Sequence, residues 1–151
     1  MATITVTRSS QAVAALLLAA ADRIEANPHL GPTATVSAGF PRGILTMTVR
    51  AQLAELREDV ASAERAEYAS GLAADYYGRR NPDSRTHRDA DRYADTTAQR
   101  ATTARRALRE AEYAAEQNIL AALAATGPIA AGTTRGDLVD LFRLAAAVTT
   151  S

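Results

Sequence analysis

Residues 84–125 read SRTHRDADRYADTTAQRATTARRALREAEYAAEQNILAALAA. One stripe runs through them: Ala90, Ala94, Thr97, Ala101, Ala104, Leu108, Ala111, Ala115, Asn118 and Ala122. The steps alternate four and three without a slip, which is a heptad seam. No Gly or Pro interrupts it, and alanine, its main residue, is the strongest helix former. A second stripe lies upstream at Val49, Leu53, Leu56, Val60, Ala63, Glu67, Ser70 and Ala74. Paired from opposite ends, the two stripes give position numbers that add to 164 in every layer, so they mirror each other about Pro82. Gly78 and Asn81-Pro82-Asp83 supply the turn residues. The pattern predicts an antiparallel helical hairpin with helices at about 51–78 and 84–125. Leu53 opposite Ala111 and Leu56 opposite Leu108 are its bulkiest layers, and Glu67 opposite Thr97 is polar. The layers shrink toward the turn, so the end far from the turn is expected to be the firmer.

Upstream, Ile4 and Val6 alternate with Thr3, Thr5 and Thr7, which predicts a short strand. Ser9 or Ser10 then caps a helix bearing Val13, Leu16, Leu17, Ala20 and Ile24 on one face. Asn27-Pro28 stops it. Ala34, Val36 and Ala38 alternate with Thr33, Thr35 and Ser37, as Leu45, Met47 and Val49 alternate with Thr46 and Thr48. Gly39-Phe40-Pro41-Arg42-Gly43 between them reads as a hairpin turn. Downstream, Thr126-Gly127-Pro128 ends the long helix, whose Ile119, Leu120 and Leu123 are expected to pack at the base. Thr134-Arg135-Gly136-Asp137 has capping-box spacing ahead of a helix with Leu138, Leu141, Phe142, Ala145 and Val148 at buried-face spacing. The expected fold is α+β but mostly α, in one domain over 1–151. It comprises a β-α-β-β base over 1–50, the hairpin arm over 51–125, and a C-terminal helix over 134–149 packed on the base.

Charge narrows the function classes. The 17 arginines balance 17 acidic residues and lysine is absent, so no global field draws nucleic acid or an anionic membrane. The all-arginine basic set, with abundant Ala and Thr, reads as high-GC codon usage. Cys is absent, which excludes disulfides and thiol chemistry. No apolar run approaches the ~20 residues of a bilayer span, and residues 1–8 do not read as a signal peptide. The expectation is a cytoplasmic protein with no membrane contact.

Candidate chemistry is sparse. Asp83, His87, Asp91 and Asp95 share a helical face and could hold a divalent metal. Asp83 and Ser84 also suit a helix start, and Arg79, Arg80, Arg85, Arg88 and Arg92 stand among the carboxylates. His29 has no evident partner. No nucleophile–base pair, paired catalytic carboxylates or cofactor loop is present, so no enzyme, cofactor or metal is expected. Tyrosine is more informative, because Tyr68, Tyr76, Tyr77 and Tyr93 all fall near the turn, and Tyr68, Leu72 and Tyr76 step by four off the seam. Their rings either thicken a thin alanine core or form a contact surface, and Tyr with Arg is the hot-spot pairing of interfaces. Tyr68, Leu72, Tyr76, Tyr77 and Tyr93 are therefore the candidate partner-binding residues.

One further segment carries a resemblance. Asn118-Ile-Leu-Ala-Ala-Leu-Ala-Ala-Thr-Gly-Pro-Ile129, followed by Thr134-Arg-Gly-Asp-Leu-Val-Asp-Leu-Phe142, resembles the helix-turn-helix start of winged-helix regulators. It departs from them in an inserted Ala130-Ala-Gly-Thr133, and no recognition helix and wing follow it. The resemblance implies DNA binding, with Arg135 and Arg143 on a basic face. The leading expectation is instead a non-enzymatic interaction or assembly protein acting through the outer face and tip of the hairpin, on a protein partner or as a homo-oligomer. Its composition is similar to accessory products of phages or mobile elements.

Overall fold

A computed structural model describes the backbone of residues 2–27 and 29–151, with side chains from Ser9 onward. Five helices make up 81% of it: α1 (Ala2–Glu25), α2 (Phe40–Gln52), α3 (Ala54–Arg80), α4 (Arg85–Thr126) and α5 (Arg135–Thr150). Among the described residues there is no strand or sheet, and a lone antiparallel bridge joins Thr35 to Thr134. The fold is all-α. The expected β-α-β-β base is wrong in each of its strands.

The strands fail for separate reasons. Residues 3–7 belong to α1, and the side chains expected to alternate there lie outside the described set. Pro28, the expected helix stop, also lies outside the described residues. Residues 41–49 carry two periods at once. Pro41, Ile44, Leu45, Thr48 and Val49 are the buried set of α2, spaced as one helical face, whereas Met47, which the alternation needed, is 54% exposed. Pro41 sits in the first helical turn, where a missing N–H costs nothing. Thr46 and Thr48 donate their hydroxyls to the carbonyls of Arg42 and Ile44 four residues back, which reconciles β-branched residues with a helix. Residues 33–36 leave a turn at Thr33 for a single bridge at Thr35 and pair elsewhere: Val36 N–H donates to Thr133 O at 2.9 Å and Arg135 N–H to Ala34 O at 2.9 Å.

The chain divides into two compact units, residues 1–52 with 113–151, and residues 53–112. In the first, α1 packs on α5 and on α2. Leu17, Leu45, Leu138 and Phe142 form its fully buried centre, joined by Ile119 and Ala122 of α4. Leu120 is exposed, contrary to its expected packing. Thr134 caps α5, accepting from Asp137 N–H at 3.2 Å. The buried face of α5 is Leu138, Val139, Phe142, Ala145 and Ala146, while Val148, expected inside, is 66% exposed. Arg143 grips Glu25 and Asp22 of α1. The Arg143 hydrogen bond holds the Glu25 carboxyl below its ordinary range, and Glu25 in turn raises the Arg143 pKa.

The second unit is the antiparallel pair of α3 with the first part of α4. Every seam position of α4 from Ala90 to Ala111 is buried or half-buried, as is each α3 seam position from Leu53 to Ala74. The Ser70 and Thr97 hydroxyls meet across the seam, so Thr97 faces Ser70 instead of Glu67, one turn from the mirror register. The helices end at Arg80 and restart at Arg85, which puts the turn's centre past Pro82. Arg105 bridges to Glu64 at 2.9 Å and Glu67 at 2.8 Å. These two partners, Glu64 foremost, hold its pKa above the ordinary arginine value. Burial along the α3 seam does not follow side-chain bulk. Ser70 and Ala74 near the turn are the buried residues of α3, and Leu53 and Leu56 are half-buried. Small side chains let the two backbones close until each thin layer is shut.

Candidate functional site

The five candidate residues do not form one patch. Tyr68, Leu72 and Tyr76 step by four along α3 on the side turned away from α4. They are 72%, 53% and 51% exposed. Exposure on this scale rules out rings laid into the alanine core. Arg80 places its guanidinium carbon 4.9 Å from the centre of the Tyr76 ring. Tyr77 meets Tyr76 edge-on, with ring centres 5.3 Å apart. Leu72, Asp75, Tyr76, Arg79 and Arg80 line a shallow hollow of about 330 Å3 on this face.

Tyr93 stands apart. It lines a separate hollow of about 250 Å3 between α3 and α4, with Asp59, Ser62, Ala63, Ala66, Thr97 and Arg100. The structure thus brings together Tyr68, Leu72 and Tyr76, sets Tyr77 at their edge, and leaves Tyr93 on another side. Tyr113 and Leu144, neither of them singled out in the sequence, are exposed as well, as is Val148, expected inside.

The acidic-histidine face resolves differently. Ser84 accepts from His87 N–H at 3.1 Å and caps α4. The His87 ring turns across the hairpin tip onto Gly78, where an added Cβ would stand 2.8 Å from its Cε1. Its Nε2 lies 3.6 Å from an Asp91 carboxylate oxygen, and its buried Nδ1 has no hydrogen-bond partner. Among the described residues no three His, Asp or Glu side chains converge as metal ligands.

The two arginines of the helix-turn-helix-like segment are both engaged in the fold. Arg143 is held by Glu25 and Asp22. Arg135 is only 8% exposed, and its guanidinium carbon lies 4.8 Å from the centre of the Phe40 ring. Among the described residues Arg135 has no carboxylate within bridging distance and its guanidinium makes no hydrogen bond. Among the described residues no Arg135 nitrogen is both sealed from solvent and unpaired, and the Phe40 face adds about 1 kcal/mol as a cation–π contact.

No protein-family model matches the chain, and neither a curated protein nor a solved structure matches it significantly. No described helix is long and apolar enough to cross a membrane.

Proposed function

We propose that this chain is a non-enzymatic assembly protein that associates through the outer face of α3, with a second copy of itself as the partner. The observation that carries the reading is the exposed stripe Tyr68, Leu72 and Tyr76. Its order is the same in both directions. A two-fold axis through Leu72 sets Tyr68 of one copy against Tyr76 of the other, which is what a closed dimer interface requires. The same axis puts Arg80 of one copy level with Glu64 of the other, whose carboxylate is already held by Arg105 of its own chain at 2.9 Å. It also opposes Arg65 with Arg79, a repulsion that the Glu58 partner of Arg65, 2.8 Å away, softens.

Area sets the strength. Two tyrosines and a leucine offer on the order of 400 Å2 per copy. A stable interface takes about 800 Å2 from each partner. The association is therefore reversible and concentration-dependent.

Light scattering across a dilution series tests this. The native chain shifts from monomer toward dimer as its concentration rises. Tyr68→Ala with Tyr76→Ala weakens that shift at least tenfold and leaves the circular-dichroism helix signal unchanged. A native chain that stays monomeric up to millimolar concentration would sink the reading.

A further inference from the structure

We infer that the cleft beside Arg135 is a binding site for a small carboxylate with an apolar body. The cleft encloses about 540 Å3, a volume typical of small-molecule sites, and lies within the first unit. The end of α1 gives it Ile24, Glu25 and Asn27, the loop that follows gives Leu30, Gly31 and Pro32, and α5 gives Arg135, Gly136, Val139 and Asp140.

Arg135 is the reason to read it as a site. It is the one charged side chain among the buried residues described, and it lines the cleft. A guanidinium carries five N–H donors in a planar fork that fits a carboxylate with two parallel hydrogen bonds. None of the five is used within the described residues, and the Phe40 ring offers a face but no acceptor. Glu25 and Asp140 line the same cleft, yet neither reaches Arg135. Glu25 is turned to Arg143. The end of α5 has no such donors to offer. The N–H groups of Arg135, Gly136 and Asp137 already donate to Ala34 O, Pro32 O and Thr134 Oγ1.

The remaining walls select among anions. Ile24, Leu30, Pro32 and Val139 are apolar, and Leu30 is half out in solvent although it is a large aliphatic residue. An apolar body covers them while its carboxylate meets Arg135. A nucleotide or other polyanion meets one unpaired guanidinium with the Asp140 carboxylate beside it, since Glu25 is paired with Arg143. Charge repulsion therefore favours a monocarboxylate. Such a group arrives as a free small acid or as the end of a peptide chain.

The full-length chain labelled with 15N tests both sources. Titration with 3-phenylpropionate should move the amide signals of Gly31 and Gly136 saturably, and 3-phenylpropionamide, the neutral counterpart, should not. N-acetyl-Leu-Phe titrated in parallel tells a chain end from a free acid by which binds more tightly. ATP should bind at least tenfold more weakly than the better of the two. Arg135→Met keeps the packing on Phe40, should melt no lower than the native chain, and should lose binding at least tenfold. Leu30→Asp puts a negative charge at the exposed wall, leaves Arg135 in place, and should weaken binding similarly, so the test stands even where the Arg135 variant folds poorly. The inference is overturned if the amide binds as well as the acid, if either variant binds like the native chain, or if neither carboxylate gives a saturable shift.

Discussion

Ser70 and Thr97 carry two hydroxyl hydrogens between them but stand in three contacts. Each lies within reach of a carbonyl of its own helix, Glu67 O at 3.1 Å and Ala94 O at 2.9 Å, and the two oxygens meet each other. One hydroxyl therefore donates across the seam and the other donates to its own backbone. Thr97→Val keeps the shape and removes one donor, leaving the Ser70 oxygen buried with less to bond. The expected cost is about 1–2 kcal/mol in urea unfolding. Adding Ser70→Ala should cost less than the sum of the single changes, because the second substitution removes the group the first left unsatisfied. Additive losses would mean that the two hydroxyls do not share a bond.

At the scale of elements, α3 and α4 meet at the tip, where the His87 ring covers Gly78. Alanine is worth about 1 kcal/mol over glycine inside a helix. In the native chain the Gly78→Ala methyl must displace the ring, which offsets that gain. In a His87→Ala background the gain should appear in full, raising stability by about 1 kcal/mol. If Gly78→Ala alone stabilises by the same amount, the ring yields freely and the contact constrains nothing. The clasp between α1 and α5 makes a pH-dependent contribution. Because Glu25 in the folded state titrates below its ordinary 4.5, its contribution is fully present above that value and is lost as pH falls through the lower folded value. The melting temperatures of native chain and Arg143→Ala should therefore differ by a small constant amount from about pH 8 to pH 5 and converge in stronger acid. A gap that persists at pH 2 would assign the stabilisation to packing of the arginine stem.

Across the whole molecule, the two units differ in how far they could be read from residues alone. The second announces itself, because a 3.5-residue period sustained from Ala90 to Ala111, facing a matching stripe across Asn81-Pro82-Asp83, has few competing solutions. Even there the register came out a turn off at Thr97, since a stripe of alanines constrains height along the helix weakly. The first unit is built from short apolar runs that satisfy two periods. Between Pro41 and Val49 the choice between strand and helix hangs on whether Met47 or Ile44 is counted as buried, and local β-branched content favoured the wrong one. The tyrosine face could be located because Tyr68, Leu72 and Tyr76 fall off the seam. The separation of Tyr93 from it depends on which side of α4 that residue takes. Burial of Arg135 left no mark in the sequence, where an arginine beside glycine at a helix start reads as solvent-facing.

The cross-seam hydroxyl pair has one more consequence. A row of alanines looks the same after a slide of one heptad, so on its own it would tolerate several alignments of α3 against α4 with nearly equal energy. A seven-residue slide would set Ser70 against Ala90 or Ala104 and strand a hydroxyl in an apolar layer. The pair thus breaks a translational degeneracy: it contributes little to how strongly the two helices adhere, and much to there being one way for them to do so.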